Sequence, residues 1–256
     1  MCGICGCSEA MIDVTLAPKA DGAPAEMHSH THAHTHDHDH SILLTVEQNL
    51  MAYNQQFADA NRAYFLQHHI TTINLMSSPG TGKTSLLTKT LHDLATERRM
   101  GVVVGDQHTD FDAQQLQTSG ALAIQINTGH VCHLDAHRLG HVIEDGRFDN
   151  YQYLLIENVG NLVCPALFDL GEQYRVVLLS VTEGDNKPLK YPDMFRHADL
   201  LVITKMDLLP YVDFDVEQCI RYAQRIQPQI KVLALSTKTG AGLDMWYQWL
   251  LQIQGT

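Results

Sequence analysis

Residues 70–84 read Ile-Thr-Thr-Ile-Asn-Leu-Met-Ser-Ser-Pro-Gly-Thr-Gly-Lys-Thr. The first seven are mostly β-branched or apolar and predict a buried strand, while Lys83 opens a segment that predicts a helix. Between them, Gly80 and Gly82 allow the backbone to turn its N–H groups toward a phosphate. The stretch therefore predicts a phosphate-binding P-loop, with Ser77 at the position where the full pattern has its first glycine. The alternative is a chance Gly/Ser turn followed by Lys-Thr.

This loop is expected to bind a nucleoside triphosphate together with Mg²⁺. Lys83 is expected to act catalytically on the β- and γ-phosphates, and the hydroxyl of Thr84 to ligate Mg²⁺. The nucleotide-binding residues predicted in the loop are Gly80, Thr81, Gly82, Lys83, Thr84 and Ser85.

The chain beyond residue 70 alternates between predicted strands and helices. Continuous apolar runs such as 102–104 and 176–179 are typical of parallel strands in a sheet covered on both faces. The predicted fold class is α/β, a doubly wound and mostly parallel sheet, preceded by a disordered extension rich in Cys and His. The predicted strands are 70–76, 101–105, 121–126, 151–157, 175–181, 199–204 and 230–236, and the predicted helices are 83–98, 111–118, 133–145, 188–196, 215–226 and 242–253.

Three regions follow from this pattern: a metal-binding extension over 1–40, a helical segment over 41–69, and a nucleotide-binding domain with an internal metal site over 70–256. The helical segment has apolar residues at three- to four-residue spacing. It is either an ordinary helix packed on the domain or one that also contributes to a dimer contact.

Composition excludes several classes of protein. The formal net charge of -12 argues against non-specific nucleic-acid binding, which needs clustered Lys and Arg. No run of 18 apolar residues is present, so no membrane insertion is predicted. The first residues lack the basic and apolar regions of a secretory signal, so a cytoplasmic protein is expected. Its six cysteines are then predicted to be reduced, as metal ligands or core residues.

The amino terminus carries a Cys-x-x-Cys-x-Cys motif at Cys2, Cys5 and Cys7. Three thiolates within six residues can wrap a soft metal such as Ni²⁺ or Zn²⁺, with Cu(I) and iron–sulfur clusters as alternatives. The other interpretation is a flexible tail with adventitious reactivity.

A histidine-rich segment follows at 28–40, with His at every second position and seven in all. Such a low-complexity tract cannot form a core, but it offers many weak imidazole sites for Ni²⁺ or Zn²⁺. It favours storage or buffering of metal over one geometric site.

Two acidic residues lie at predicted strand ends, where ligands bind in open α/β sheets. Asp106 is expected to hold Mg²⁺ or its water, with a helix cap as the alternative. Glu157 is followed three residues later by Gly160, which resembles the D-x-x-G switch of GTPases. Glu157 is expected to hold the Mg²⁺ shell or to polarise the attacking water, and Gly160 to contact the γ-phosphate. For Asp112 a solvated or capping role is favoured, with a mobile loop that responds to the γ-phosphate as the alternative.

A further strand end, at Thr204-Lys205-Met206-Asp207, resembles the N-K-x-D guanine motif. Asp207 can accept two hydrogen bonds that guanine offers and adenine does not, so GTP is favoured over ATP. Lys205 is expected to cover the base. After the next strand, Ser236 and Thr237 are expected to bring a backbone N–H to the guanine.

Three soft ligands remain inside the domain, namely Cys132, His133 and Cys164. Both of their segments follow strand ends, and two thiolates with an imidazole suit Zn²⁺ or Ni²⁺. His130, His137 and His141 are candidates for a fourth ligand, as is a second subunit. The alternative is two buried structural cysteines and a surface histidine. Cys219 is expected in the core.

Taken together, the chain resembles the HypB family of hydrogenase nickel-incorporation GTPases. The resemblance covers about residues 70–256 and the amino-terminal cysteine motif, although Thr204 stands where the family commonly has Asn. The motifs that carry it are Ser77-Ser78-Pro79-Gly80-Thr81-Gly82-Lys83-Thr84, Gly105-Asp106-Gln107, Cys132-His133-Leu134-Asp135-Ala136-His137, Ile156-Glu157-Asn158-Val159-Gly160-Asn161-Leu162-Val163-Cys164-Pro165 and Thr182-Glu183-Gly184-Asp185.

The resemblance implies a slow, regulatory GTPase that binds nickel and delivers it for [NiFe]-hydrogenase maturation. It implies a nucleotide-linked homodimer with metal bound between subunits at Cys132, His133 and Cys164. It also implies a lysine that reaches across the dimer to the nucleotide, for which Lys190 is favoured over Lys187. The nickel metallochaperone HypA and the maturation complex of the hydrogenase large subunit are the implied partners.

Two other functions compete with this one. The first is a nickel-storage protein in which the 1–40 extension matters most and nucleotide binding is secondary. The second is a P-loop kinase or ATPase, which a competition between GTP and ATP would expose.

Overall fold

The P-loop strand lies at the centre of a seven-stranded parallel sheet. The computed structural model describes residues 37–94, 96–106, 111–129 and 131–253, and for residues 37–47 and 111 only the backbone. The strand order is β3-β2-β4-β1-β5-β6-β7, and all six neighbouring pairs are parallel. This confirms the predicted fold class. The strands are β1 Thr71–Ser77, β2 Met100–Asp106, β3 Ala123–Asn127, β4 Tyr153–Glu157, β5 Tyr174–Ser180, β6 Leu200–Thr204 and β7 Lys231–Ala234.

Nine α-helices are found in the described residues. A 3₁₀-helix, Met206–Tyr211, follows β6 directly. Among the described residues, no helix combines the length and apolarity needed to span a bilayer. The helices are α1 Asp37–Gln67, α2 Lys83–Leu94, α3 Phe111–Gln117, α4 Ala136–Ile143, α5 Cys164–Leu167, α6 Lys187–Lys190, α7 Pro192–Arg196, α8 Val216–Ile226 and α9 Leu243–Gln252.

Alternate residues of each central strand pack on opposite faces of the sheet, as the two-residue period of a strand requires. Val102 and Val104 of β2 belong to a core shared with α2, α3 and α9, whereas Val103 belongs to a core on the other face. That second core includes residues of α1 and α4, and a third, beneath β5 and β6, includes residues of α7 and α8. Burial on both faces explains why the strands are continuous apolar runs.

The chain divides into two compact units, residues 1–50 and residues 51–256. The described part of the first unit is the beginning of α1. Within the second unit, α1 turns one stripe toward the domain: Asn54, Ala58, Asn61 and Phe65 are buried at helical spacing. This part of α1 is therefore a helix packed on the sheet domain.

The helix predicted at 83–98 ends earlier, at Leu94. Two further predicted helices differ from the observed ones for local reasons. The helix predicted at 133–145 begins only at Ala136, because the Asp135 side chain accepts a hydrogen bond from the backbone N–H of Arg138 and caps it. The helix predicted at 188–196 divides into α6 and α7 at Tyr191, because Pro192 disfavours a helical backbone in the residue before it.

We expect Gly242→Ala to destabilise the fold far more than Gly240→Ala. Both glycines have a positive φ, 77° and 85°, so alanine is strained at either position by about 1–2 kcal/mol. At Gly242 a Cβ would also lie 2.2 Å from the Ala234 carbonyl oxygen, whereas at Gly240 it would meet nothing within 4 Å. Urea unfolding should therefore give the larger loss of unfolding free energy for Gly242→Ala. Equal losses would contradict the steric account.

Candidate nucleotide and metal sites

The P-loop joins β1 to α2 with the backbone geometry that a phosphate cradle requires. Gly80 and Gly82 have φ of 72° and 106°, a region that favours glycine, and neither position would place a Cβ against another group. Lys83 is only 7% exposed, and its Nζ donates a hydrogen bond to Ser77 Oγ at 2.9 Å. The serine at the first-glycine position thus holds the lysine in place. Burial lowers the pKa of Lys83, against the opposing effect of Glu157 and other carboxylates.

Three side chains from other strand ends fix the loop. The Thr204 hydroxyl donates to the Thr81 carbonyl oxygen at 2.8 Å, and Thr81 Oγ1 donates to Glu183 Oε1 at 2.6 Å. Lys205 Nζ donates to the Gly80 carbonyl oxygen at 2.6 Å. Thr204, which stands at the Asn position of the guanine motif, is thus bonded to the P-loop, and its predicted place in the nucleotide site stays a prediction. Glu183 was not predicted as a site residue, although its position just beyond β5 could have indicated one.

A cavity of about 570 Å³ opens above the P-loop at the carboxyl edge of the sheet. Three of its lining residues, Asp106, Glu157 and Gly160, come from the ends of β2 and β4, as the sequence predicts. Asp112 and Gln115 of α3 also line it, which brings Asp112 to the cavity that holds the P-loop residues, while its solvated or capping role stays a prediction. The remaining lining residues are Pro79, Gly80, Gly82, Lys83, Thr84, Ser85, Val159 and Lys205.

Glu157 is the most buried acid of this cavity, with 3% of its surface exposed. Its Oε1 accepts a hydrogen bond from Thr84 Oγ1 at 2.7 Å, while Oε2 is buried without a hydrogen-bond partner among the described residues. Burial raises the pKa of Glu157 to about 7, although Lys83 and the Thr84 bond lower it. The Glu157 carboxylate with its unsatisfied oxygen, the Thr84 hydroxyl and Asp106 together offer oxygen ligands of the kind that Mg²⁺ prefers.

The predicted base-binding end lies across β6 and β7. Ser236 is buried and its Oγ donates to Asp207 Oδ1 at 2.5 Å, which fixes the carboxylate. Lys205 has a left-handed backbone with φ of 58° at this turn. Thr237 follows Ser236 and is half-buried. Lys190 is exposed on α6 and does not line the cavity.

The structure brings Cys132, His133 and Cys164 together. One ligand atom from each lies within 4.8 Å of the others, the only such cluster of three among the described residues. The two sulfurs are 2.8 Å apart, longer than the roughly 2.05 Å of a disulfide. The three donors form a soft site suited to Ni²⁺ or Zn²⁺.

His133 is already in the form that a metal ligand needs. Its ring is 6% exposed and stacks on Phe168 with centroids 3.7 Å apart. Burial lowers its pKa to about 4, so the imidazole is neutral at neutral pH. A neutral ring need not lose a proton before it binds a cation. Its Nδ1 is buried without a hydrogen-bond partner in the described part of the chain.

Other predicted ligands lie elsewhere or outside the description. His137 and His141 of α4 have their Nε2 atoms 3.1 Å apart but do not join the cluster of three. Cys219 is in the core beneath β5 and β6, as predicted, and burial raises its pKa to about 12. Cys2, Cys5, Cys7, residues 28–36 of the histidine-rich segment, Gln107 and His130 lie outside the described residues.

Comparison with known proteins agrees with this geometry. Residues 71–234 match the family model described as CobW/HypB/UreG, nucleotide-binding domain. The hydrogenase maturation factor HypB of Azotobacter vinelandii is 51% identical over 218 residues, which cover 84% of this chain and 71% of that protein.

Two solved structures are also similar. The hydrogenase maturation factor HypB of Archaeoglobus fulgidus gives a TM-score of 0.75 at 41% identity, over 80% of this chain and all of that one. HypB of Helicobacter pylori, solved in complex with nickel, gives 0.75 at 37% identity, over 79% of this chain and 95% of that one.

Proposed function

Because this chain belongs to the HypB family of hydrogenase maturation factors, we propose that it hydrolyses GTP and uses the nucleotide state to control the binding and delivery of nickel for [NiFe]-hydrogenase maturation. The observation that carries the proposal is one segment, residues 157–164. It supplies Glu157 to the nucleotide cavity and Cys164 to the metal cluster. A structural change at one end of so short a segment reaches the other end.

In the proposed reaction, water attacks the γ-phosphate of GTP and releases GDP and phosphate. Lys83 stabilises the charge on the transferring phosphoryl group from a buried position, where its effect is strong. Thr84, Asp106 and Glu157 would hold Mg²⁺, which supplies neutralisation of charge on the β- and γ-phosphate oxygens. Gly160, which follows β4, is proposed to contact the γ-phosphate. The reaction is proposed to be slow and regulatory, as the family resemblance implies.

Nickel is the proposed cargo of the Cys132, His133 and Cys164 cluster, and Zn²⁺ suits the same donors. The nickel complex of the H. pylori relative supports this assignment. Three ligands leave a coordination position for a fourth donor. Val163 and Leu167, on either side of Cys164, are 42% and 40% exposed. An apolar surface around an incomplete site supports a homodimer in which the metal lies between subunits. Lys190 is proposed, from the family resemblance alone, to reach the partner's nucleotide.

HypA and the maturation complex of the hydrogenase large subunit are the proposed partners, in the cytoplasm. Cys2, Cys5 and Cys7 are proposed as a further nickel site, and the histidine-rich segment as a buffer.

Guanine selectivity is expected to depend on Asp207. Asp207→Asn replaces one of two hydrogen-bond acceptors by a donor, and sites built on such pairs discriminate strongly. We expect GTP affinity to fall by about 100-fold or more, whereas affinity for xanthosine triphosphate, which offers the complementary group, rises. Titration with fluorescent analogues of both nucleotides measures the change, and GTP hydrolysis in the presence of excess ATP tests the choice of base directly.

Asp213→Asn is the matched control for this substitution. Asp213 is exposed shortly after the 3₁₀-helix and, unlike Asp207, takes no part in the hydrogen bond with Ser236 at the base-binding end, so its amide should leave both affinities unchanged. Undiminished GTP binding by Asp207→Asn, or inhibition of GTP hydrolysis by ATP at equal concentration, would refute the guanine assignment.

A further inference from the structure

The two arms of the metal cluster come from loops that are not neighbours in the sheet. Cys132 and His133 follow β3, whereas Cys164 follows β4, and β2 lies between these strands. Backbone pairing therefore does not join β3 to β4 directly. Contacts beyond the strand ends must set the distance between the arms.

The two loops meet over Gly105 at the end of β2. A Cβ at Gly105 would lie 3.4 Å from Leu134 Cβ and 3.7 Å from Val159 Cγ2. The loop after β3 thus passes over the end of β2, where no side chain stands in its way, and reaches the segment that follows β4. The two segments are then close enough for direct hydrogen bonds.

Asn158 makes the first of these bonds from a position that is 1% exposed. Its Oδ1 accepts from the backbone N–H of Leu134 at 3.2 Å, next to His133. Its Nδ2 donates to Asn74 Oδ1 at 3.2 Å, and its backbone N–H donates to the Leu75 carbonyl oxygen at 3.0 Å. One buried amide therefore connects the metal loop to β1, the strand that ends in the P-loop.

Asn161 makes a second connection on the same segment. Its Nδ2 donates to the carbonyl oxygen of Cys132 at 3.3 Å, and its Oδ1 accepts from the backbone N–H of Val163 at 2.9 Å. The amide thus links the backbone of one metal ligand to the turn that carries Cys164, the other thiol. A shift of Asn161 changes the relative position of both arms.

The nucleotide acts on the same segment from the other side. Glu157, directly before Asn158, lines the nucleotide cavity. Gly160, directly before Asn161, lies so close to the P-loop that a Cβ there would be 3.0 Å from Pro79 Cα. A ligand that moves the P-loop or Glu157 therefore moves the residues adjacent to both asparagines.

We infer that Asn158 and Asn161 are positioning residues through which the nucleotide state sets the geometry of the metal cluster. The inference rests on the proposed function, since it names the contacts that couple the two sites. The asparagines need not touch nucleotide or metal. They transmit a change because each is bonded to the metal loop and lies beside a residue of the nucleotide cavity.

The test uses the reciprocity of linkage: if a GTP analogue changes nickel affinity, nickel changes the affinity for the analogue by the same factor. The dissociation constant of a non-hydrolysable GTP analogue is measured on the full chain with and without saturating NiCl₂. The ratio of the two constants is the coupling, expected to be at least about fivefold in the wild type. The same ratio measured for Cys132→Ala, which lacks one residue of the cluster, gives the baseline, the coupling that comes from the other nickel ligands of the chain.

Asn161→Ala is the main variant, because its half-buried position allows water to replace the lost bonds. We expect its coupling to fall at least about twofold toward the Cys132→Ala baseline, a factor within what one hydrogen bond carries, while the affinity for the analogue without nickel is unchanged. Asn158→Ala should lower the coupling at least as much. The exposed Asn150, before the opposite end of β4, is the control, and Asn150→Ala should keep the wild-type ratio.

Wild-type coupling in Asn161→Ala would overturn the inference and leave the proposed function intact. An equal loss in Asn150→Ala would also overturn it. No difference between wild type and Cys132→Ala would instead show that nucleotide and this cluster are uncoupled, and both proposals would fail. If Asn158→Ala does not fold, the Asn161→Ala measurement decides alone.

Discussion

Lys83→Ala is expected to lower kcat/KM for GTP hydrolysis by about 10²- to 10³-fold. This is the usual loss when one preorganised hydrogen-bond donor that stabilises the charge of the transition state is removed. Lys83 is buried against Ser77 at the floor of the nucleotide cavity, so water cannot substitute for its charge as it would at the surface. Phosphate release under steady-state conditions measures the loss. Thermal unfolding, recorded alongside, verifies that the variant is folded.

Lys89→Ala is a control on the same helix. Lys89 lies nearly two turns further along α2 and pairs with Asp93 at 2.9 Å, away from the cavity. Removal of this partly exposed pair should cost at most about 1 kcal/mol of stability and leave kcat/KM unchanged. A Lys83→Ala protein that retains more than about a tenth of wild-type activity would contradict the catalytic role.

Cys164→Ala is expected to weaken nickel binding at the internal cluster by more than about 100-fold. Loss of a partner that only orients a ligand already costs about 10- to 100-fold in metal affinity, and loss of a thiolate ligand should cost more. Competition with a chromophoric chelator gives the nickel titration curve of the full chain. The difference between the curves of wild type and variant isolates the cluster from the other ligands of the chain.

Cys219→Ala is the matched substitution at a cysteine that the structure places in the core. It removes a buried thiol of the same kind but no member of the cluster, so its nickel curve should match that of the wild type. Superimposable curves for Cys164→Ala and wild type would exclude Cys164 as a ligand.

The features that the sequence predicted well are those encoded locally. The strand before the P-loop is a buried run rich in β-branched residues. The two glycines of the loop have the positive φ that the motif requires. The parallel sheet followed from apolar strands that alternate with helical segments. Glu157 was found because an acid followed by Gly160 at a strand end is a short and readable pattern.

The contacts that were missed join residues distant in sequence. Thr204 was considered only as a member of the guanine motif, and the bond of its hydroxyl to the Thr81 backbone, 123 positions away, was not predicted. Asn158 and Asn161 drew no prediction of their own, because only the passage of a loop over Gly105 brings Leu134 and Cys132 to them. Strand order and loop path decide such contacts, and neither is visible in residue spacing.

The order of the strands has a consequence for how this protein can diversify. The proposed metal ligands lie after β3 and β4 on one side of β1, whereas the residues assigned to the base lie after β6 and β7 on the other side. On the proposed assignments, the residues that select the metal and those that select the nucleotide base therefore lie in opposite halves of the sheet. The proposed donors at 132, 133 and 164 can therefore be replaced by oxygen ligands, which prefer harder metals, without a change in the residues assigned to guanine. The same nucleotide-binding residues would then serve the binding of a different metal.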